Sequence, residues 1–133
     1  MGRDSRPAHV RVAESRPYRF REHRFRFLLD AEETGGSYSA MHINSPGGTG
    51  PRPHVHEAAE EIFFLLSGQV TFHTEEAGFQ ASAGDLIHVP RGTMHHFVVD
   101  SDDATYLAFY APGGDERGLR EAAVPEEDAG DIN

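Results

Sequence analysis

Short apolar runs closed by glycine or proline follow one another through most of this chain, and that succession restricts the fold more than any other feature. RFRFLL (24–29) and SYSAMHIN (37–44) alternate apolar and polar residues, with a glycine turn between them. EIFFLL (61–66) is continuously apolar, the pattern of a strand buried on both faces, and Ser67-Gly68 turns it into QVTFHT (69–74). Two turn-rich stretches, EEAG and ASAGD, lead to LIHVP (86–90), HHFVVD (95–100) and ATYLAFYAP (104–112). Only DERGLREAA (115–123) has helical character. Many short strands at regular spacing predict an all-β sandwich or closed barrel, which also removes exposed sheet edges. With 133 residues the chain is one domain's worth. It divides into an extended basic arm (1–18), a β-barrel (19–114), and a short helix with an acidic tail (115–133).

Charge and composition exclude several classes of function. There is no cysteine, so disulfides, thiolate metal sites and cysteine nucleophiles are ruled out, and a metal must use nitrogen and oxygen ligands. No apolar run is long enough to span a membrane, and MGRDSRPAHV is not a secretory leader, so a cytoplasmic location is expected. The net charge is −10, yet residues 1–26 carry eight arginines against three acids. An acidic body repels a polyanion, so no nucleic-acid partner is expected. The basic arm is expected to pack on its own acidic body or on that of a second copy, as in a homodimer.

Residues 54–61, HVHEAAEE, carry the chemistry. In extended chain the side chains of i and i+2 share a face, so His54 and His56 project in parallel and can converge on one ion. A carboxylate follows at Glu60 or Glu61; the two-residue period admits only one of them on the inward face. A third nitrogen is expected from PRGTMHHFVV, where His95 shares a face with Phe97 and Val99 while His96 points the other way.

Taken together these positions resemble the cupin superfamily. Its first motif reads here as Gly48, His54, His56, Glu61 and Gly68; its second reads as Gly84, Pro90, Gly92 and His95, with Val99 where the family usually has asparagine. The resemblance implies a cupin double-stranded β-helix (jelly-roll barrel) with His54, His56, Glu61 and His95 on one divalent ion, and it selects Glu61 over Glu60. TGGSYSAMHINSPGGTGPRPHVH upstream and LAFYAPGG downstream look like the quercetin 2,3-dioxygenase-like branch.

Three imidazoles and a carboxylate suit one divalent transition metal ion: Fe, Mn, Ni, Co or Zn. Such an ion acts as Lewis acid and template, and a carboxylate beside it is a natural general base, here Glu61. The barrel interior is the expected pocket for a small-molecule substrate, lined by Phe63, Leu65, Phe72 and Phe97, with Tyr38 or His42 from the strand before the loop. No arginine falls on the interior positions so assigned, which favours a flat aromatic, enolic or polyketide-like substrate over a sugar phosphate. The function expected is a metal-dependent, quercetinase-like dioxygenase. A non-oxidative cyclase, isomerase or lyase and a non-catalytic binding barrel are the alternatives.

Overall fold

A computed structural model describes residues 6–126 of the chain. Ten strands run β1 (Pro17–Phe20), β2 (His23–Leu29), β3 (Ser39–Pro46), β4 (Glu60–Ser67), β5 (Gln69–Thr74), β6 (Gly78–Ser82), β7 (Leu86–Val89), β8 (His95–Val99), β9 (Asp103–Ala111) and β10 (Val124–Pro125). One helix, α1 (Glu116–Ala122), lies between β9 and β10. All pairings are antiparallel and form two sheets, β10-β1-β2-β3-β9-β4-β7 and β6-β5-β8. The all-β architecture expected from strand spacing, in the jelly-roll form that the cupin resemblance implies, is therefore the fold. No helix among the described residues is long and apolar enough to cross a membrane.

The sheets close on one apolar interior. Phe63 of the large sheet meets Phe72 and Phe97 of the small sheet, with ring centroids 5.3 and 5.8 Å apart. Opposite Phe63 in register stands Ala108 of β9, and Leu65 faces Tyr106. The small Ala108 beside Phe63 leaves room for its ring in the closely packed interior. Gly68 fits a crowded turn in the left-handed region, with φ at +92°, where a Cβ would lie 2.4 Å from the Asp103 carbonyl oxygen.

Several elements differ from the sequence expectation. EIFFLL is not buried on both faces: Glu61, Phe63 and Leu65 point inward, while Ile62 and Phe64 are half-buried and Leu66 is exposed on the outer face. The stretch expected as turn between residues 75 and 85 contains β6, an edge strand on which only Ala81 is buried. Its glycine, glutamine and serine blur the alternation that marks a strand. The segment expected as an extended arm holds a 3-10 turn at Val12–Glu14 and enters the sheet at Pro17. Arg26 ties the turn down by donating to the carbonyl oxygens of Val12 and Ser15. Residues 1–5 of that arm, and the tail from residue 127, lie outside the described residues.

The beginning of the acidic tail is anchored by β10, which pairs with β1. Glu126 accepts from both Arg24 nitrogens at 2.8 and 2.9 Å and from Arg19 at 2.8 Å. The Arg24 bonds hold its carboxyl below the ordinary value, with Arg19 adding to the effect against the cost of burial.

Two outcomes are expected. Leu65→Ala should destabilise the fold by about 3 kcal/mol in denaturant titration, since the side chain is fully enclosed. Glu126→Gln should cost about 1 kcal/mol near neutral pH, the two arginines being partly exposed. Because the folded carboxyl is the stronger acid, that contribution is full above the unfolded pKa of about 4.3. It should fade as pH drops through the lower folded value, so the wild-type and variant curves should converge in acid.

Candidate metal centre

The HxH pair does not lie within a strand. His54 makes an isolated bridge to His95, its N–H donating to the His95 carbonyl at 3.0 Å and its carbonyl accepting from the His95 N–H at 2.9 Å. The His56 carbonyl accepts from the Gly92 N–H at 2.8 Å. The loop before β4 is thereby laid along the start of β8, and β4 brings Glu61 in from the other sheet. One ligand atom from each of His54, His56, Glu61 and His95 can be chosen so that all four lie within 4.8 Å of one another.

Hydrogen bonds behind the cluster define which nitrogens face it. Nδ1 of His54 lies 2.7 Å from the Arg52 carbonyl oxygen, and Nδ1 of His95 lies 2.9 Å from that of Thr93. Nδ1 of His56 lies 2.9 Å from Asp115 Oδ2. Carbonyl and carboxylate oxygens only accept, so each Nδ1 must carry the proton and each neutral ring presents a bare Nε2. Asp115 stands at the N-terminal end of α1, yet its side chain makes no capping bond and goes to His56 instead.

The result is a set of electron-pair donors facing one another. Nε2 of His95 is 3.1 Å and Nε2 of His56 is 3.3 Å from the same oxygen of Glu61, and the buried His56 Nε2 has no aligned hydrogen-bond partner. Positive charge among them, either a metal ion or protons on the rings, is needed to relieve this repulsion. A transition metal fits both the donor types and the fixed tautomers, and the acceptors behind the rings are what metal-ligating histidines ordinarily have. Burial raises the Glu61 carboxyl, but the His56 and His95 rings outweigh it and hold the group below its ordinary value. Burial lowers the His54 ring, which keeps it neutral and available as a ligand. The Glu61 carboxylate raises His56 against the effect of burial, with Asp115 contributing.

The cluster opens on a cavity of about 390 Å³, within the range of small-molecule sites. Phe63 and Phe97 line it, together with Phe25, Met41, Ile43 and Tyr110. The other proposed lining residues lie elsewhere. Leu65 and Phe72 face inward but one layer deeper, around a void of about 10 Å³. His42 stands opposite Arg26 and Leu107, on the face of β3 away from the interior. Tyr38 precedes β3, where its backbone bonds the Thr34 hydroxyl. The inward face of β3 is Ser39, Met41, Ile43 and Ser45, and its flanking serines disguise it in the sequence.

Several lining residues escaped the sequence reading. Tyr106 and Tyr110 alternate inward with Ala104 and Ala108 along β9, a signal present in ATYLAFYAP. Burial, with the Glu61 carboxylate, raises the Tyr110 hydroxyl well above its ordinary value, so it stays protonated. His23 joins a chain in which its Nδ1 is 2.8 Å from Ser45 Oγ, itself 2.9 Å from the Tyr106 hydroxyl. No arginine stands on an interior strand position, but the exposed Arg21 and Arg52 both line the cavity. Each sits in a turn or loop, where strand alternation gives no guidance.

Comparison with known proteins gives the family and the fold. The cupin domain model matches residues 41–110. Quercetin 2,3-dioxygenase of Bacillus subtilis (strain 168) is 30% identical over 102 residues, covering 77% of this chain, which spans only 30% of that relative's length. Among solved structures, KdgF from Halomonas sp. superposes with a TM-score of 0.73 at 19% identity, covering 82% of this chain and 98% of its own. The polyketide cyclase RemF from Streptomyces resistomycificus gives 0.69 at 19% identity, covering 80% of each chain. At these identities the two structural likenesses are likenesses of fold.

Asp115→Ala should weaken metal affinity by about 10- to 100-fold, as loss of a ligand-orienting acceptor usually does. Competition titration against a chromophoric chelator measures this, and circular dichroism should report an unchanged fold.

Proposed function

We propose that this chain, which belongs to the cupin family, is a metal-dependent enzyme acting on a small aromatic or enolic substrate, with quercetinase-like dioxygenation as its reaction. The observation that carries the proposal is the set of three tautomer-fixed imidazoles and one carboxylate at the floor of an apolar cavity. The Bacillus relative supports the choice of reaction, being a quercetin 2,3-dioxygenase 30% identical to this chain.

His54, His56, Glu61 and His95 would hold one divalent transition metal, which supplies Lewis acidity and open coordination positions when bound. Glu61 is ionised at neutral pH and buried beside the cavity, so it can take a proton from an acidic O–H or C–H of the substrate. Removing that proton makes an electron-rich enolate or phenolate, the form of such a molecule that is prone to oxidation. The protonated Tyr110 hydroxyl is a donor in the same cavity, suited to an oxygen that gains charge. Phe25, Phe63 and Phe97 form walls that hold a flat ring and keep water from it.

Oxygen uptake by Fe- or Ni-loaded protein, offered a flavonol or a 1,3-diketone in aerobic buffer, tests the proposal. Uptake that falls at least about 100-fold in Glu61→Gln is the expected result, the usual weight of a general base. Turnover that persists anaerobically would replace oxygenation by a non-oxidative cyclase, isomerase or lyase reaction. Ligand binding without turnover, insensitive to Glu61→Gln, would leave a binding barrel.

A further inference from the structure

We propose that the substrate carries a carboxylate, and that Arg21 and Arg52 bind it at the open end of the cavity while the rest of the molecule extends toward the His/Glu cluster. The orientation rests on the function proposed above; the arginine subsite itself does not.

Both arginines line the cavity and are also solvent-exposed, which puts them at its mouth. Among the described residues neither makes an ion pair, whereas Arg11, Arg19, Arg24, Arg91 and Arg120 each reach a carboxylate. On a chain of net charge −10, these are two guanidinium groups without an acidic partner at one cavity, Arg21 lying over the Phe20 ring at 5.3 Å from its centroid.

Backbone features hold both in place. Arg21 has φ at +57° in the turn between β1 and β2, the one non-glycine residue with positive φ among those described. Glycine or asparagine would adopt that conformation at less cost. Arg52 lies two residues after Gly50, where a Cβ would fall 1.8 Å from the Phe97 carbonyl oxygen. Only glycine lets the loop press so closely on β8. The Arg52 carbonyl also accepts from His54 Nδ1 at 2.7 Å. One residue thus orients a member of the metal cluster through its backbone and also lines the cavity.

The charges lining the cavity complete the case. Glu61 and Asp115 are negative, and Arg21 and Arg52 balance them. A divalent ion at the cluster then leaves the cavity net positive within an acidic protein, a field that draws small anions inward. Between the two ends lie Phe25, Met41, Ile43 and Phe97. An apolar middle with a cationic mouth fits an aryl or enolic acid better than a neutral flavonoid, because a guanidinium fork matches a carboxylate in plane and in charge.

Calorimetric titration with 2-naphthoate and its neutral counterpart 2-naphthamide tests this, on metal-loaded and chelator-treated protein, in wild type and in the double variant Arg21→Gln/Arg52→Gln. Wild type is expected to prefer the acid in both metal states, and the double variant to lower that preference by about tenfold or more, the usual scale for charge-assisted bonds. A preference absent from wild type, or unchanged in the variant, overturns the proposal. A preference that vanishes with the metal but survives loss of the arginines also overturns it, and leaves the proposed metal centre standing. Arginine-dependent preference in a protein whose cluster takes up no metal would uphold the subsite and remove the metal centre.

Discussion

Lone pairs that face one another inside a protein repel, and the organisation of this molecule follows from holding four of them together. Each imidazole is turned by an acceptor behind it: the Arg52 carbonyl for His54, the Asp115 carboxylate for His56 and the Thr93 carbonyl for His95. Those acceptors come from a loop, the start of a helix and a turn, so three separate parts of the chain determine the protonation pattern of one small volume. Glu61 sets the remaining corner from the opposite sheet. The energetic cost of this arrangement is offset only when positive charge enters it, which is why the site reads as a cation receptor and not as a polar corner of the core.

The jelly roll makes such convergence possible at low cost. The bridge between His54 and His95 unites loop and strand, and the β4–β9 ladder places Glu61 directly opposite Tyr110. Below the cluster the interior is sealed by Leu65, Val70, Phe72 and Ile87; above it the walls part around the cavity. The barrel therefore has a closed, load-carrying half and an open, chemical half. Glu116 serves the junction: buried at the start of α1, it accepts from the Ala31 and Gly114 N–H groups, which places Asp115 beside His56.

How much of this could be read from the sequence depended on which physical rule governed each position. Period-two alternation correctly turned His95, Phe97 and Val99 inward, and the resemblance to the cupin motif pointed to Glu61 rather than Glu60. The same alternation failed on β3, where serines at both ends made the inward face look as polar as the outer one. Leu65 and Phe72 expose a different limit: alternation gives the face of a sheet but not the depth along the barrel. Arg21, Arg52 and Asp115 lie where no period applies. Their roles come from a strained turn, a glycine-tight loop and a helix start that the fold alone brings to the cavity. β6 and β10 were hidden because exposed edge strands need few apolar residues.

The proposed chemistry requires the three imidazoles to share a single ion with Glu61. X-ray absorption at the metal edge, on protein loaded with one equivalent of zinc or nickel, tests that directly. The predicted spectrum shows imidazole scattering from three rings and an oxygen-type ligand, at bond lengths of about 2.0–2.2 Å. A first shell of oxygen atoms alone, without imidazole scattering, would contradict it.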